Sequence, residues 1–165
     1  RMQEAFSRLK QDTSQSEPIG RKADLRIQAD GRQLIKWMER LYKLHQDLVH
    51  SKQWKMGNAL GKATTVLRPG TNTPLAVDKM QGVFSEFETW KQHRNTSALS
   101  GEDVRKLHKW MQRLEQLYGY LLQSRRWKMG NSLSRSAQAL RLRPRTPSAV
   151  DRMGQIFEEF HKSDQ

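Results

Sequence analysis

Cysteine is absent from this 165-residue chain, which excludes disulfide support and thiolate chemistry and fits a reducing compartment. No run of about 18 apolar residues occurs, so nothing reads as a membrane span, and no charged-then-apolar leader opens the sequence. Catalytic constellations are missing as well. The histidines His45, His50, His93, His108 and His161 lack metal-ligand spacing, and His45 and His50 fall on different faces of a helix. Gly57 and Gly61 belong to no phosphate-binding or dinucleotide fingerprint. Ser51 and Ser124, three residues before a tryptophan, recur without a recurring His or acid beside them. The sequence therefore offers no catalytic residue, no cofactor site and no metal site, and it reads as non-enzymatic.

What is present is a duplication. Trp54-Lys55-Met56-Gly57-Asn58 recurs as Trp127-Lys128-Met129-Gly130-Asn131, and a shift of 73 residues aligns Leu34–Gln92 with Leu107–Gln165 without a gap, 27 of the 59 positions being identical. Two copies of one module fill most of the chain. One copy of that size buries a marginal core, so the copies are expected to share one. The opening at Arg1 is expected of a piece of a longer protein.

Acid is missing in two stretches, between Asp47 and Asp78 and between Glu115 and Asp151. The first holds Lys52, Lys55, Lys62 and Arg68, the second Arg125, Arg126, Lys128, Arg135, Arg141, Arg143 and Arg145, so 11 uncompensated cations supply most of the net charge of +13. Such a field attracts lipid headgroups, nucleic acid or an acidic protein face and says nothing about fold. A merely solvated basic face is the plain alternative.

The apolar periodicity is helical throughout. Leu34, Trp37, Leu41, Leu44 and Leu48, and again Leu107, Trp110, Leu114, Leu117 and Leu121, alternate three and four residues apart. Ser100 with Asp103 reads as a capped start for the second of these helices, and Asp30 as the weaker counterpart in the first. Gly57 and Gly130 punctuate the middle. The closing helices start at Thr73-Pro74 and Thr146-Pro147, with threonine as cap and proline in the first turn. Their stripes run Val77, Met80, Phe84, Phe87 and Val150, Met153, Phe157, Phe160. Asp78 and Asp151 place charge near the positive ends of these helices. Between them lies a short basic helix, Lys55–Leu67 or Lys128–Leu142, on which Met129, Leu133, Ala137 and Leu140 form a narrow stripe.

The expected fold is all-α: two tandem copies of a three-helix repeat (long helix, short basic helix, Pro-capped helix) preceded by a short helix and linker. Residues 1–20 are the end of an incoming helix, with Met2, Phe6 and Leu9 at helical spacing, and a linker over Gln11–Gly20. Residues 21–95 form the first repeat and 96–165 the second. Trp54 and Trp127, at helix junctions, read either as core plugs or as interfacial anchors. Flanked by Lys and Arg, they join the 11 cations as the candidate membrane- or partner-binding set.

The segments Val49-His50-Ser51-Lys52-Gln53-Trp54-Lys55-Met56-Gly57 and Leu121-Leu122-Gln123-Ser124-Arg125-Arg126-Trp127-Lys128-Met129-Gly130 resemble a Ser-x-x-Trp-basic-apolar-Gly segment. That segment stands at the ends of long coiled coils in bacterial O-antigen and capsule biosynthesis enzymes, glycosyltransferases and chain-terminating methyltransferase/kinase proteins. Thr73-Pro74-Leu75-Ala76-Val77-Asp78-Lys79-Met80 through Phe87 is similar to the stretch on the C-terminal side of the segment in those proteins. The resemblance implies a non-catalytic C-terminal region of a lipopolysaccharide- or capsule-synthesising protein, peripheral on the inner face of the inner membrane and docked to a polymerising glycosyltransferase or other protein partner. In such proteins the motif commonly appears once; here it appears twice. A basic helical repeat that binds nucleic acid is the alternative, against which stands the lack of any helix-turn-helix, zinc-finger or RNA-binding signature. Homo-oligomerisation through the heptad-like seams is a third reading.

Overall fold

A computed structural model describes residues 17–66, 75–94, 98–125, 127–132 and 147–163. Among them the structure is all-α, with no strand. The helices are α1 (Glu17–His50), α2 (Lys52–Val66), α3 (Ala76–His93), α4 (Gly101–Gln123), α5 (127–132) and α6 (Ala149–Ser163).

α1 is one helix of 34 residues. It takes in Glu17–Gly20, where a linker was expected, and runs through Asp30, which caps nothing. Pro18 suits a first turn, where its missing N–H costs no hydrogen bond. Residues 1–16 lie outside the described residues. Ser100 caps α4 as expected: its hydroxyl accepts from the Asp103 N–H at 3.1 Å while the Asp103 carboxylate accepts from the Ser100 N–H at 2.9 Å. For α6 the cap is Ser148, one residue past the proline, paired in the same way with Asp151 at 3.1 and 2.9 Å. Pro147 precedes that cap; Thr146, Thr73 and Pro74 lie outside the described residues. At α3 the cap position holds Leu75, which has no acceptor, and only the Asp78 half of the box is made, at 3.2 Å.

All four apolar stripes face inward. One main cluster joins Leu34, Trp37, Leu41 and Phe84 to Leu107, Trp110, Leu114 and Phe157, so both copies contribute to a single core. The helix order around it sends each long helix against the closing helix of the other copy. The Trp37 indole N–H donates to Glu159 at 3.1 Å and the Trp110 indole N–H to Glu86 at 3.0 Å. Arg40 meets Glu159 at 3.1 Å and Arg113 meets Glu86 at 3.4 Å. Trp37 stands edge-on to Phe160 at 5.9 Å and 83°, Trp110 to Phe87 at 6.0 Å and 84°. Each member of these pairs lies 73 residues from its counterpart in the sequence.

A smaller cluster closes one end. It consists of Leu48, Trp54 and Val77 with Leu121, Trp127 and Val150, again three positions drawn once from each copy.

Candidate anion-facing surface

The described starts of the two basic segments, carrying Trp54 and Trp127, lie at that end. α1 stops at His50 because Ser51 turns the chain: its N–H donates to the Leu48 carbonyl at 3.0 Å, and its hydroxyl then accepts from the Trp54 N–H at 3.1 Å. Ser124 does the same after α4, with its N–H on Leu121 O at 3.1 Å and its hydroxyl accepting from the Trp127 N–H at 3.2 Å. The recurrent serines are N-caps. The short helix accordingly starts at Lys52, three residues ahead of its expected start at Lys55.

Trp54 and Trp127 are 7 % and 6 % exposed and face the small cluster. This corrects their place in the binding set: an indole buried against Leu48 or Leu121 cannot also rest in a headgroup layer or stack on a base. Gly57 and Gly130 lie inside helices and are buried. A Cβ at Gly130 would collide with the Gln53 carbonyl oxygen and lie 3.4 Å from the Gly57 nitrogen. Gly130 meets the backbone of α2 there, and only hydrogen at that position lets the two backbones approach. Of the expected stripe on the basic helix, Met129 is half-buried and its counterpart Met56 exposed, while Leu133, Ala137 and Leu140 lie outside the described residues.

With the tryptophans and glycines inward, the cations are left outward. Lys52, Lys55, Arg125 and Lys128 are exposed, and among the described residues none forms an ion pair. Of Lys62 the structure describes only that it belongs to α2; Arg68, Arg126, Arg135, Arg141, Arg143 and Arg145 lie outside the described residues. The placement is electrostatically uphill. α3, α4 and α6 each begin with an acid, Asp78, Asp103 or Asp151, whereas α2 has none in its first turn and opens on Lys52. A cation at the positive end of a helix costs about 0.3–1 kcal/mol where an acid would stabilise by as much. Two further exposed side chains went unread in the sequence: Tyr120 at 65 % and Leu122 at 38 %, on the last turn of α4. Neither breaks the apolar period, since both fall on the outer face.

A concavity of 770 Å³ lies between α3 and α4 and is lined by Glu86, Trp90, Arg94, Asp103, Lys106 and Trp110 among others. Trp90 donates to Asp103 at 3.1 Å and packs edge-on to Trp110 at 5.9 Å. Arg94 covers the Trp90 ring at 5.4 Å and Lys106 the Trp110 ring at 5.2 Å, so the aromatic faces are occupied from within. Burial pushes the Asp103 carboxyl up, but hydrogen bonds from Ser100 and Trp90 and the field of Arg94 outweigh it and hold the group below the ordinary carboxylate range.

Among the described residues no group of three or more His, Asp or Glu side chains is placed to hold a metal ion, and no helix is long and apolar enough to cross a membrane. No family model matches the chain, and no curated protein or solved structure matches it either.

Proposed function

We propose that this chain is a non-catalytic docking module of a bacterial O-antigen or other cell-surface polysaccharide biosynthesis protein. It is built as two tandem three-helix repeats paired about an approximate twofold axis. Its basic end faces the anionic inner surface of the inner membrane, an acidic face of a partner such as the polymerising glycosyltransferase, or both. The observation that carries the reading is the set of exposed, unpaired cations Lys52, Lys55, Arg125 and Lys128 at the starts of two crossing helices. Their charge opposes the local helix field, a cost that an external anion offsets. The exchanged Trp–Glu and Arg–Glu contacts support the twofold pairing. Burial of both indoles removes the stacking platforms that a nucleic-acid reading would need.

The test is co-sedimentation with phosphatidylglycerol-containing vesicles beside oligonucleotide titration, across one salt series. Neutralising Lys52, Lys55, Arg125 and Lys128 to Gln should weaken vesicle binding by roughly a thousandfold, at about 1 kcal/mol per charge, with helicity unchanged. Tight oligonucleotide binding near physiological salt without vesicle binding overturns the proposal. Binding to neither leaves an acidic protein face as the docking surface, to be read by capture of the intact polysaccharide-synthesising protein.

A further inference from the structure

His45 lies on α1 with 1 % of its surface exposed. Its Nε2 is 3.1 Å from the Val77 carbonyl oxygen in the first turn of α3, and its ring packs on Phe84 at 5.2 Å. A carbonyl only accepts, so this network assigns the proton to Nε2. Nδ1 is then a bare acceptor, buried and without a partner among the described residues. In the second copy the same place belongs to Tyr118. Its hydroxyl donates to the Val150 carbonyl at 3.1 Å and its ring packs on Phe157 at 5.2 Å.

The two pins hold the same joint with different chemistry. Phenol is neutral up to about pH 10, and burial pushes Tyr118 higher still, helped by Asp151 and Glu158. Imidazole gains a proton near pH 6.5 in water. Burial pushes His45 below that value, against the hydrogen bond to Val77 and the field of Asp78. Among the described residues Asp78 on α3 is the charged group whose field reaches the ring. Asp47, further along α1, is exposed and meets Arg152 of α6 at 3.5 Å.

We propose that His45 is an acid-sensitive pin on one half of the molecule: a proton on its buried Nδ1 loosens the first turn of α3 and the seat of Trp54, while the phenol-pinned half stays closed. Val77 and Trp54 share the small cluster, so the change reaches the base of α2 and slackens the Lys52–Lys55 side of the basic end. The sign comes from proton linkage. The folded state binds this proton less readily than the open one, so the joint is tightest above about pH 6.5 and loosens as pH falls, by at most about tenfold in the opening constant per unit.

Amide hydrogen exchange, corrected for intrinsic rates and followed from about pH 7.5 to about pH 5, reads this directly. Protection over 76–80 should fall by up to about tenfold per unit below pH 6.5 while protection over 149–153 holds. His45→Tyr should abolish the loss, and Tyr118→His should add a like loss over 149–153 to the one over 76–80. Should His45→Tyr fail to fold, His45→Gln, which still has a donor for Val77 and does not titrate, serves the same purpose. A flat profile over 76–80 in the wild-type chain overturns the proposal. So does an equal loss in the non-titrating variant.

Discussion

Around Trp110, the groove between α3 and α4 carries Trp90, Lys106 and Arg94. At the corresponding place around Trp37, between α6 and α1, stand Ser163 and Gln33, and the hollow shrinks to 120 Å³. Yet the indole of each central tryptophan donates to a glutamate of the other copy at almost the same distance, 3.0 and 3.1 Å. The two copies hold their mutual contacts and diverge at the margins. The connection between them shows a further margin: Leu99 is fastened to α1 by Gln28, which makes hydrogen bonds of 2.7 and 2.9 Å to its carbonyl and N–H. Leu99 sits over Gly31, where any Cβ would stand 2.5 Å from its Cδ1. In the second copy the place of Gly31 is taken by Val104, whose Cγ2 would itself stand 3.1 Å from a Cβ at Gly31. Equivalent residues thus pack alike where the copies meet, and each copy's edge answers to its own neighbours.

The strongest way to break this comparison is to hollow the shared core from either side. Phe84→Ala and Phe157→Ala, at 0 % and 4 % exposure, should each cost about 3–5 kcal/mol. Because one cluster spans both copies, chemical denaturation should show a single transition in each variant. Two separated transitions would mean that the halves fold independently. Next in size is the helix crossing. Gly130→Ala drives a methyl into the Gln53 carbonyl and should cost about 1–3 kcal/mol. Gly119→Ala, where the space is open, should instead stabilise α4 by up to about 1 kcal/mol. Denaturation midpoints moving in opposite directions distinguish a packing glycine from a merely tolerated one.

The inward faces of the four long helices were legible because a 3.6-residue period records burial directly, and Leu34 to Leu48 or Val77 to Phe87 need no other information. Which helix they meet was not. A repeat tells which positions are equivalent, but the partner of Trp37 is equally well Glu86 or Glu159 on that evidence, and only geometry selects Glu159. At the basic end the charges were legible from two acid-free stretches. The inward turn of Trp54 and Trp127 was legible only as the commoner of two readings, because an aromatic beside lysine at a helix junction is more often a core plug than an interfacial anchor. Ser51 and Ser124 carried a signal that went unused, a hydroxyl three residues before a recurring tryptophan, which is the spacing of an N-cap to its third helical residue. The role of Gly130 was not legible, because a glycine inside a helical pattern does not reveal the close backbone approach that here requires it.

The caps sharpen the comparison at smaller scale. Ser148 closes its box with Asp151, whereas Leu75 leaves the equivalent position half-made. Ser148→Ala should cost about 0.5–2 kcal/mol, and Leu75→Ser should gain roughly 1 kcal/mol, less what the half-buried leucine contributes by packing. A thermal melt in which Leu75→Ser lowers the midpoint would show that this side chain matters more as a partner of the small cluster than as a missing cap.

The smallest expected effect tests the symmetry most closely. Glu86 and Glu159 each accept from a tryptophan of the other copy and meet an arginine beside it. Their side chains are 52 % and 48 % exposed, so solvent screens the charge, and pairs of this kind contribute about 0–1 kcal/mol. Glutamine keeps an acceptor for the indole N–H and removes only the charge. Glu86→Gln and Glu159→Gln should therefore each cost under about 1 kcal/mol, by closely similar amounts, and the loss should shrink further in high salt. Double-mutant cycles with Arg113→Met and Arg40→Met isolate the two pairs. Coupling energies that agree mean the interface is symmetric in energy as well as in contact. If only the Arg113 pair couples, the Trp90-lined groove has drawn that glutamate into a network its counterpart lacks.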